Sequence, residues 1–210
     1  NKDFTKKGFK PGGLKYNTFT KAGAKSAFSY SITVSPVTCF GREDGYITAE
    51  VTSGGTAPFT YILQDASSNI LENTGPLSVT SYTFDPAAYD PGVPSGSYLV
   101  TIRDNEGTPN GGWTFVNEPD ELQVDSINVK SQLTCYGASD AELEAFPSGG
   151  TGTYTYQWYK YDFGTSSWDL LATQTNKVVV NIDQGRYKVE IDDDNGCGAG
   201  GVVFRTAAYF

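Results

Sequence analysis

The chain repeats itself at the scale of a domain. Residues 37–45 read Val-Thr-Cys-Phe-Gly-Arg-Glu-Asp-Gly, and residues 133–141 read Leu-Thr-Cys-Tyr-Gly-Ala-Ser-Asp-Ala. Residues 53–61 read Ser-Gly-Gly-Thr-Ala-Pro-Phe-Thr-Tyr, and residues 148–156 read Ser-Gly-Gly-Thr-Gly-Thr-Tyr-Thr-Tyr. A third block, Gly-Ser-Tyr-Leu-Val-Thr-Ile-Arg-Asp from Gly96, returns as Gly-Arg-Tyr-Lys-Val-Glu-Ile-Asp-Asp from Gly185. The offset between copies falls from 96 at Cys39/Cys135 to 89 at Gly96/Gly185. The first copy therefore carries a few extra residues, which fall between Tyr61 and Gly96 and include the stretch from Pro76 to Pro94. Domain-sized duplication points to an array of modules, and arrays build reach and binding surface more often than an active site.

The duplication divides the 210 residues into three parts: an arm, 1–30, a first repeat, 31–118, and a second repeat, 119–210. Within each repeat apolar residues alternate with polar ones, the period of half-buried strands. Tyr98, Val100 and Ile102 form one stripe, and Tyr187, Val189 and Ile191 form its counterpart between Arg186, Lys188 and Glu190. Leu143 and Ala145 alternate with Glu142 and Glu144, and Val178, Val180 and Ile182 are expected to form a further stripe. Ser53-Gly54-Gly55, Asn105-Glu106-Gly107, Ser148-Gly149-Gly150 and Asn195-Gly196 are turn signals between these runs. About seven short strands in each repeat of roughly 90 residues predict an all-β fold. The expectation is two tandem immunoglobulin-like β-sandwiches preceded by an extended N-terminal arm. Asn117-Glu118-Pro119-Asp120 makes a short, Pro-stiffened linker between them.

Charge separates the arm from the rest. Residues 1–30 hold seven Lys and a single acid, Asp3, for a net +6, whereas residues 31–210 hold eight basic and 23 acidic residues, for −15. An acidic body repels phosphates, so nucleic acid is a poor partner. The acidic body of another copy is a better match for the arm, which predicts head-to-tail self-association. Leu14 and Tyr16 would share one face of an extended segment 13–20, with Phe19 on the other and Phe4 and Phe9 flanking it. Such an arm is expected to add as a strand to a sheet of a neighbouring copy. The alternatives are a basic tail or the remnant of a preceding module.

The chain has no His. That excludes Ser-His-Asp and Cys-His catalysis and His-ligated metal sites. No apolar run approaches the length of a membrane helix, so direct membrane insertion is not expected. A chain that starts at Asn1 and lacks Met is expected to be a processed product or an excised piece.

The ordered blocks together resemble the SprB repeat of cell-surface adhesins of gliding Bacteroidetes. The resemblance rests on Thr-Cys-x-Gly-x-x-Asp, on Ser-Gly-Gly-Thr-x-x-(Phe/Tyr)-Thr-Tyr, on Gly-x-Tyr-x-Val-x-Ile before an Asp-rich turn, and on a Glu-Pro-x-x-Leu bridge at Glu118, Pro119 and Leu122. It covers about residues 31–205 and leaves the arm outside. It implies an extracellular sandwich module exported by type 9 secretion, serving adhesion or fibre building and carrying no catalytic residues or cofactor. The first repeat departs from the pattern, with Thr108 where the second has Cys197.

Four candidate features follow. Cys135 and Cys197 are the two cysteines of one repeat, so a disulfide between them and a pair of buried thiols are the two readings; Cys39 then stands as a buried small hydrophobe. Asp192, Asp193 and Asp194 precede Asn195-Gly196 and read as a solvated hairpin or as a surface-loop calcium site, with Asp85, Asp90 and Asp104 as lesser cases. Tyr159, Tyr161 and Trp168 are contact candidates for a polysaccharide or a protein partner, while Trp158 is expected in the core. The last feature is the arm. The function expected is a non-enzymatic extracellular structural or adhesive protein, a filament subunit joined through the arm. The alternative is a fragment of a giant adhesin that binds surface polysaccharide.

Overall fold

The structure, a computed structural model, describes residues 19–20, 28–86, 92–201 and 204–205. These residues contain strands and no helix, as the alternating patterns require. None of them forms a helix long and apolar enough to cross a membrane. The chain falls into two compact units. The first holds Asn1–Pro36 and Glu43–Asn117, and the second holds Val37–Arg42 and Glu118–Phe210.

In the first unit β1 (Phe19–Thr20), β2 (Phe28–Ser35), β3 (Tyr46–Gly54) and β6 (Ser81–Thr83) form one antiparallel sheet in the order β1-β2-β3-β6. The second sheet runs β5-β4-β7-β8, from Ile70–Leu77, Phe59–Asp65, Gly96–Arg103 and Pro109–Val116. Alternation along each strand turns one row of apolar side chains inward. β2 buries Phe28, Tyr30, Ile32 and Val34, and β7 buries Tyr98, Val100 and Ile102. Rings from the two sheets meet in the interior, Phe28 with Phe59 at 5.9 Å and Tyr61 with Tyr82 at 5.6 Å between centroids. These are the spacings of favourable aromatic pairs.

The second unit repeats the plan. One sheet is β13-β10-β9, from Val178–Ile182, Ala141–Ser148 and Gln123–Ser131. The other is β12-β11-β14-β15, from Ser167–Leu170, Thr155–Asp162, Arg186–Asp192 and Gly198–Ala199, with β16 (Phe204–Arg205) also paired to β14. Leu143 and Ala145 of β10 close on Trp158 of β11 and on Tyr187, Val189 and Ile191 of β14 in a single core. The expected inward stripe of β13 is corrected. Val179 and Ile182 are the buried residues, not the row Val178, Val180 and Ile182. Asn181 takes a left-handed φ of 56°, and the register with β10 shifts between Ala141 and Leu143, so strict alternation is lost there.

One feature marks both units as immunoglobulin-like, and a second marks the second unit. Tyr98 at the start of β7 donates its hydroxyl to the Pro94 carbonyl at 2.9 Å, and Tyr187 at the start of β14 donates to the Asp183 carbonyl at 3.1 Å. Each is a tyrosine corner, which pins the loop entering the strand to the strand itself. Trp158 fills the central position of β11, fully buried, with its indole N–H on the Asn176 carbonyl at 2.9 Å. The expected fold class, tandem immunoglobulin-like sandwiches, is therefore what the chain adopts.

Candidate functional site

The outward face of β11, β12 and β14 gathers the aromatic candidates. Alternation that sends Trp158 inward sends Tyr159 and Tyr161 outward. Antiparallel register then places Trp168 opposite Tyr161 and Lys188 opposite Tyr159. Tyr161 touches Trp168 edge-on at 5.1 Å and Phe163 edge-on at 5.0 Å. The Lys188 ammonium lies 4.4 Å from the centre of the Tyr159 ring and 5.4 Å from that of Trp168, and the Arg186 guanidinium lies 5.6 Å from that of Tyr161. Cations over ring faces fix the rings through the ring quadrupole. Lys188 also bonds Glu190 at 2.5 Å, and that bond holds the Glu190 carboxyl below the usual range. The structure thus brings Tyr159, Tyr161 and Trp168 together, half-buried, with Phe163 beside them 67% exposed. The two cations were not among the sequence candidates. Their signal was present, since Arg186 and Lys188 occupy the polar phase of the strand whose apolar phase is Tyr187 and Val189.

At the edge of this sheet Lys160 donates to both oxygens of Asp183 at 2.7 Å, and the one Tyr187 hydroxyl proton is shared between the Asp183 carbonyl and the same carboxylate, whose Oδ1 lies 2.6 Å away. Burial pushes the Asp183 carboxyl up, but the bonds and charge of Lys160 and the bond from Tyr187 outweigh it and hold the group low. Burial first, and then Asp183, pushes the Tyr187 hydroxyl well above its ordinary range.

The Asp-rich hairpin is built from its own acids. Asp193 is 5% exposed, and its Oδ1 accepts the N–H groups of Asn195 and Cys197, each at 2.9 Å. Its Oδ2 accepts the Thr151 N–H at 2.8 Å. Asp194 accepts the Thr153 N–H at 3.0 Å and the Thr153 hydroxyl at 2.5 Å, and these bonds hold its carboxyl low. Of the calcium candidates, Asp193 and Asp194 thus serve as acceptors that shape two turns, and Asp192 lies at the end of β14 opposite Thr155. Asp90 lies outside the described residues. Among the described residues no group of three or more acids, Cys or His is placed to hold a metal ion.

The cysteine pairing differs from the expected one. Cys197 is bonded to Cys39, and Cys135 is a free, exposed thiol. The second unit explains this. Its strand β10 runs from Ala141, near Cys135, to Ser148, near the hairpin that carries Cys197. Eight residues of strand cover roughly 25 Å, far beyond the reach of a disulfide. Cys39 lies in the segment Val37–Arg42, which belongs to this unit, and there the Asn195 side chain donates to the Thr38 carbonyl at 2.9 Å. Glu118 accepts the Gly41 N–H at 3.1 Å in the same place. Cys39 is buried as expected, but as half of a disulfide.

Of the arm candidates, Phe4, Phe9, Leu14 and Tyr16 lie outside the described residues. Phe19 belongs to β1, and its backbone pairs with Ile32 of the same chain, as Thr20 does with Ser31.

The repeat blocks, the two tyrosine corners and the Asp-built hairpins, Asp193 in the second unit and Asp104 in the first, whose Oδ1 accepts the N–H groups of Glu106 and Thr108, place equivalent residues at equivalent positions of both units. The SprB repeat matches this chain twice, at residues 31–68 and 127–163. Both SprB matches run from the first strand of a repeat into the strand that carries the central aromatic block. No curated protein matches the chain. Among solved structures it is similar to fibronectin(III)-like modules of CbhA from Clostridium thermocellum, at 10% identity over 84% of this chain and 93% of that one, with a TM-score of 0.32. It is also similar to the BSP domain of a biofilm-associated protein, at 12% identity over 79% of this chain, with a TM-score of 0.27. The chain spans only 28% of that protein's length. A tetra-tandem repeat from the extending region of a large adhesion protein shares 15% identity over 83% of this chain and 48% of that one, with a TM-score of 0.30.

Proposed function

We propose that the chain is a non-enzymatic, extracellular repeat protein of the adhesin type that assembles with further copies of itself through its N-terminal arm. The observation that carries this reading is the pairing of Phe19–Thr20 with Ile32 and Ser31. The open edge of β2 accepts a strand from the arm. Main-chain pairing is blind to which copy supplies the strand, so the same edge can receive the arm of a neighbour. Charge favours that exchange, because an arm of +6 meets a body of −15. A head-to-tail contact of this kind propagates into an open filament unless its rotation closes a ring. The Cys39–Cys197 disulfide supports a location outside the reducing cytosol. Deleting residues 1–25 tests the reading by light scattering across a range of concentrations. The full chain is expected to grow with concentration, and the truncated one to stay monomeric with an unchanged far-UV spectrum. Equal assembly of both would refute it.

A second reading has its own observation. Tyr159, Tyr161 and Trp168 share one outward face with Lys188 and Arg186 beside them, a surface suited to an acidic polysaccharide. Affinity electrophoresis in gels holding acidic glycans is expected to retard the chain, and Trp168→Ala to remove the retardation. Equal mobility of the two proteins would exclude this face.

A further inference from the structure

The second unit contains a bonded cysteine loop and, near its far end, an unbonded loop of the same build. In the bonded loop the Arg42 N–H returns to the Cys39 carbonyl at 3.1 Å, and Gly41 takes a φ of 72°. In the other the Ala138 N–H returns to the Cys135 carbonyl at 3.2 Å, and Gly137 takes a φ of 82°. Both are turns that need a left-handed residue at the third position, which Gly supplies. The loops differ in what meets them. Cys39 is 7% exposed and bonded to Cys197, whereas Cys135 is exposed and the neighbouring Tyr136 is 79% exposed.

The partner of Cys39 is a hairpin of defined construction. It has an Asp whose Oδ1 takes two backbone N–H groups, a Gly, and then Cys197. The first unit has the same hairpin, with Asp104 Oδ1 accepting Glu106 and Thr108 at 3.1 and 2.9 Å. It carries Thr108 at the cysteine position. The bonded loop comes from the sequence repeat before the hairpin it joins. By the same relation, the loop of the second repeat is matched to the hairpin of a repeat after it.

We propose that Cys135 is a covalent docking site for a following module of this same kind, one whose Asp-built hairpin carries cysteine at the position of Cys197. Gly137 then presents its N–H to the Glu of that module's Glu-Pro bridge, as Gly41 does to Glu118. Bond formation takes two protons and two electrons from the two thiols. A small-molecule disulfide such as oxidised glutathione accepts both and leaves as two thiols. The inference does not depend on the arm.

The test extends the full chain by joining a second copy of residues 117–210 behind Arg205. Two variants are refolded in a glutathione redox buffer, and free thiols are counted after denaturation. With Cys135→Ser in the added copy, no free thiol is expected, because Cys135 of the original repeat takes the added hairpin cysteine. With Cys135→Ser in the original repeat, two free thiols are expected. Two free thiols in both variants, or chains crosslinked through Cys135 alone, would overturn the proposal. Thr108→Cys in the unextended chain gives a check independent of how the longer chain folds. Oxidation is expected to give ladders of chains in which peptide mapping links position 108 of one to Cys135 of the next. Dimers linked only Cys135 to Cys135 would overturn the proposal as well.

Discussion

The two Asp-built hairpins differ in one oxygen, and an isosteric change reads that difference. Asp193 Oδ2 accepts the Thr151 N–H, whereas Asp104 Oδ2 is buried with no hydrogen-bond partner among the described residues. In Asp193→Asn the amide oxygen must keep the Oδ1 place, because Asn195 and Cys197 both donate to it. The amide NH2 then faces the Thr151 N–H across a gap of 2.8 Å, donor against donor. One charge-assisted bond is lost and a buried N–H is left unpaired, a cost of about 2–4 kcal/mol. In Asp104→Asn the NH2 falls where no donor points. The bonds from Glu106 and Thr108 weaken, but an unpaired anionic oxygen leaves the interior, and the two effects offset to within about 1 kcal/mol. The expected difference of about 2 kcal/mol corresponds to roughly 8–16 °C in Tm for a domain of this size. Hydrogen exchange of the core amides of β7 and β14 reports each unit separately. Asp193→Asn should speed exchange in β14 by at least about 10-fold, while Asp104→Asn should leave β7 within a few-fold. Equal effects, or a larger one at Asp104, would refute the reasoning.

Two further expectations follow from the same unit. Tyr187→Phe removes both bonds to Asp183 and should cost about 1–3 kcal/mol in denaturant unfolding, with the Asp183 carboxyl rising toward its ordinary value by NMR titration. Because the folded-state pKa of Asp183 is depressed, its contribution is present above the unfolded value near ~4 and is lost as pH falls through the folded one; the wild-type chain should therefore lose more stability below about pH 4 than the Phe variant, and parallel acid profiles would count against this. Reducing Cys39–Cys197 opens a separation of 158 residues, for which chain entropy sets a ceiling of about 5 kcal/mol, so Cys39→Ser should lower the denaturation midpoint of the second unit and an unchanged midpoint would show that the segment Val37–Arg42 holds without the bond.

The core was legible wherever alternation ran unbroken. Tyr187, Val189 and Ile191 stand between charged residues, so the period alone assigns them inward, and all three are buried. Val178, Val180 and Ile182 show the limit. Three valines in a row suit either phase, and only the left-handed φ of Asn181 selects Val179 and Ile182. The tyrosine corners had a visible signal, Gly-x-Tyr at the head of each third block, whose physical meaning is an upstream carbonyl that the hydroxyl must reach. The aromatic face is half legible. Tyr159, Tyr161 and Trp168 stand out by type, and alternation puts Lys188 and Arg186 on the outward phase of their strand, but only the register of β11 with β14 sets them beside those rings.

The cysteines expose a deeper reason for the gap. Cysteines that pair within one sequence repeat give Cys135 and Cys197. The folded unit is offset from the sequence repeat, since it takes in Val37–Arg42 from the repeat before. A strand pattern is local and survives that offset, whereas a disulfide joins two ends and does not. The Thr108 substitution then has a physical reading. A hairpin keeps its shape without cysteine, because Asp104 and its backbone bonds build the turn. What Thr108 removes is the ability of that hairpin to accept the cysteine loop of a module before it. A module with threonine there suits the start of a covalently linked series, and one with cysteine suits a later position. Hairpin chemistry at this one site thus sets where a covalent link can form, while the sandwich on which it sits stays the same.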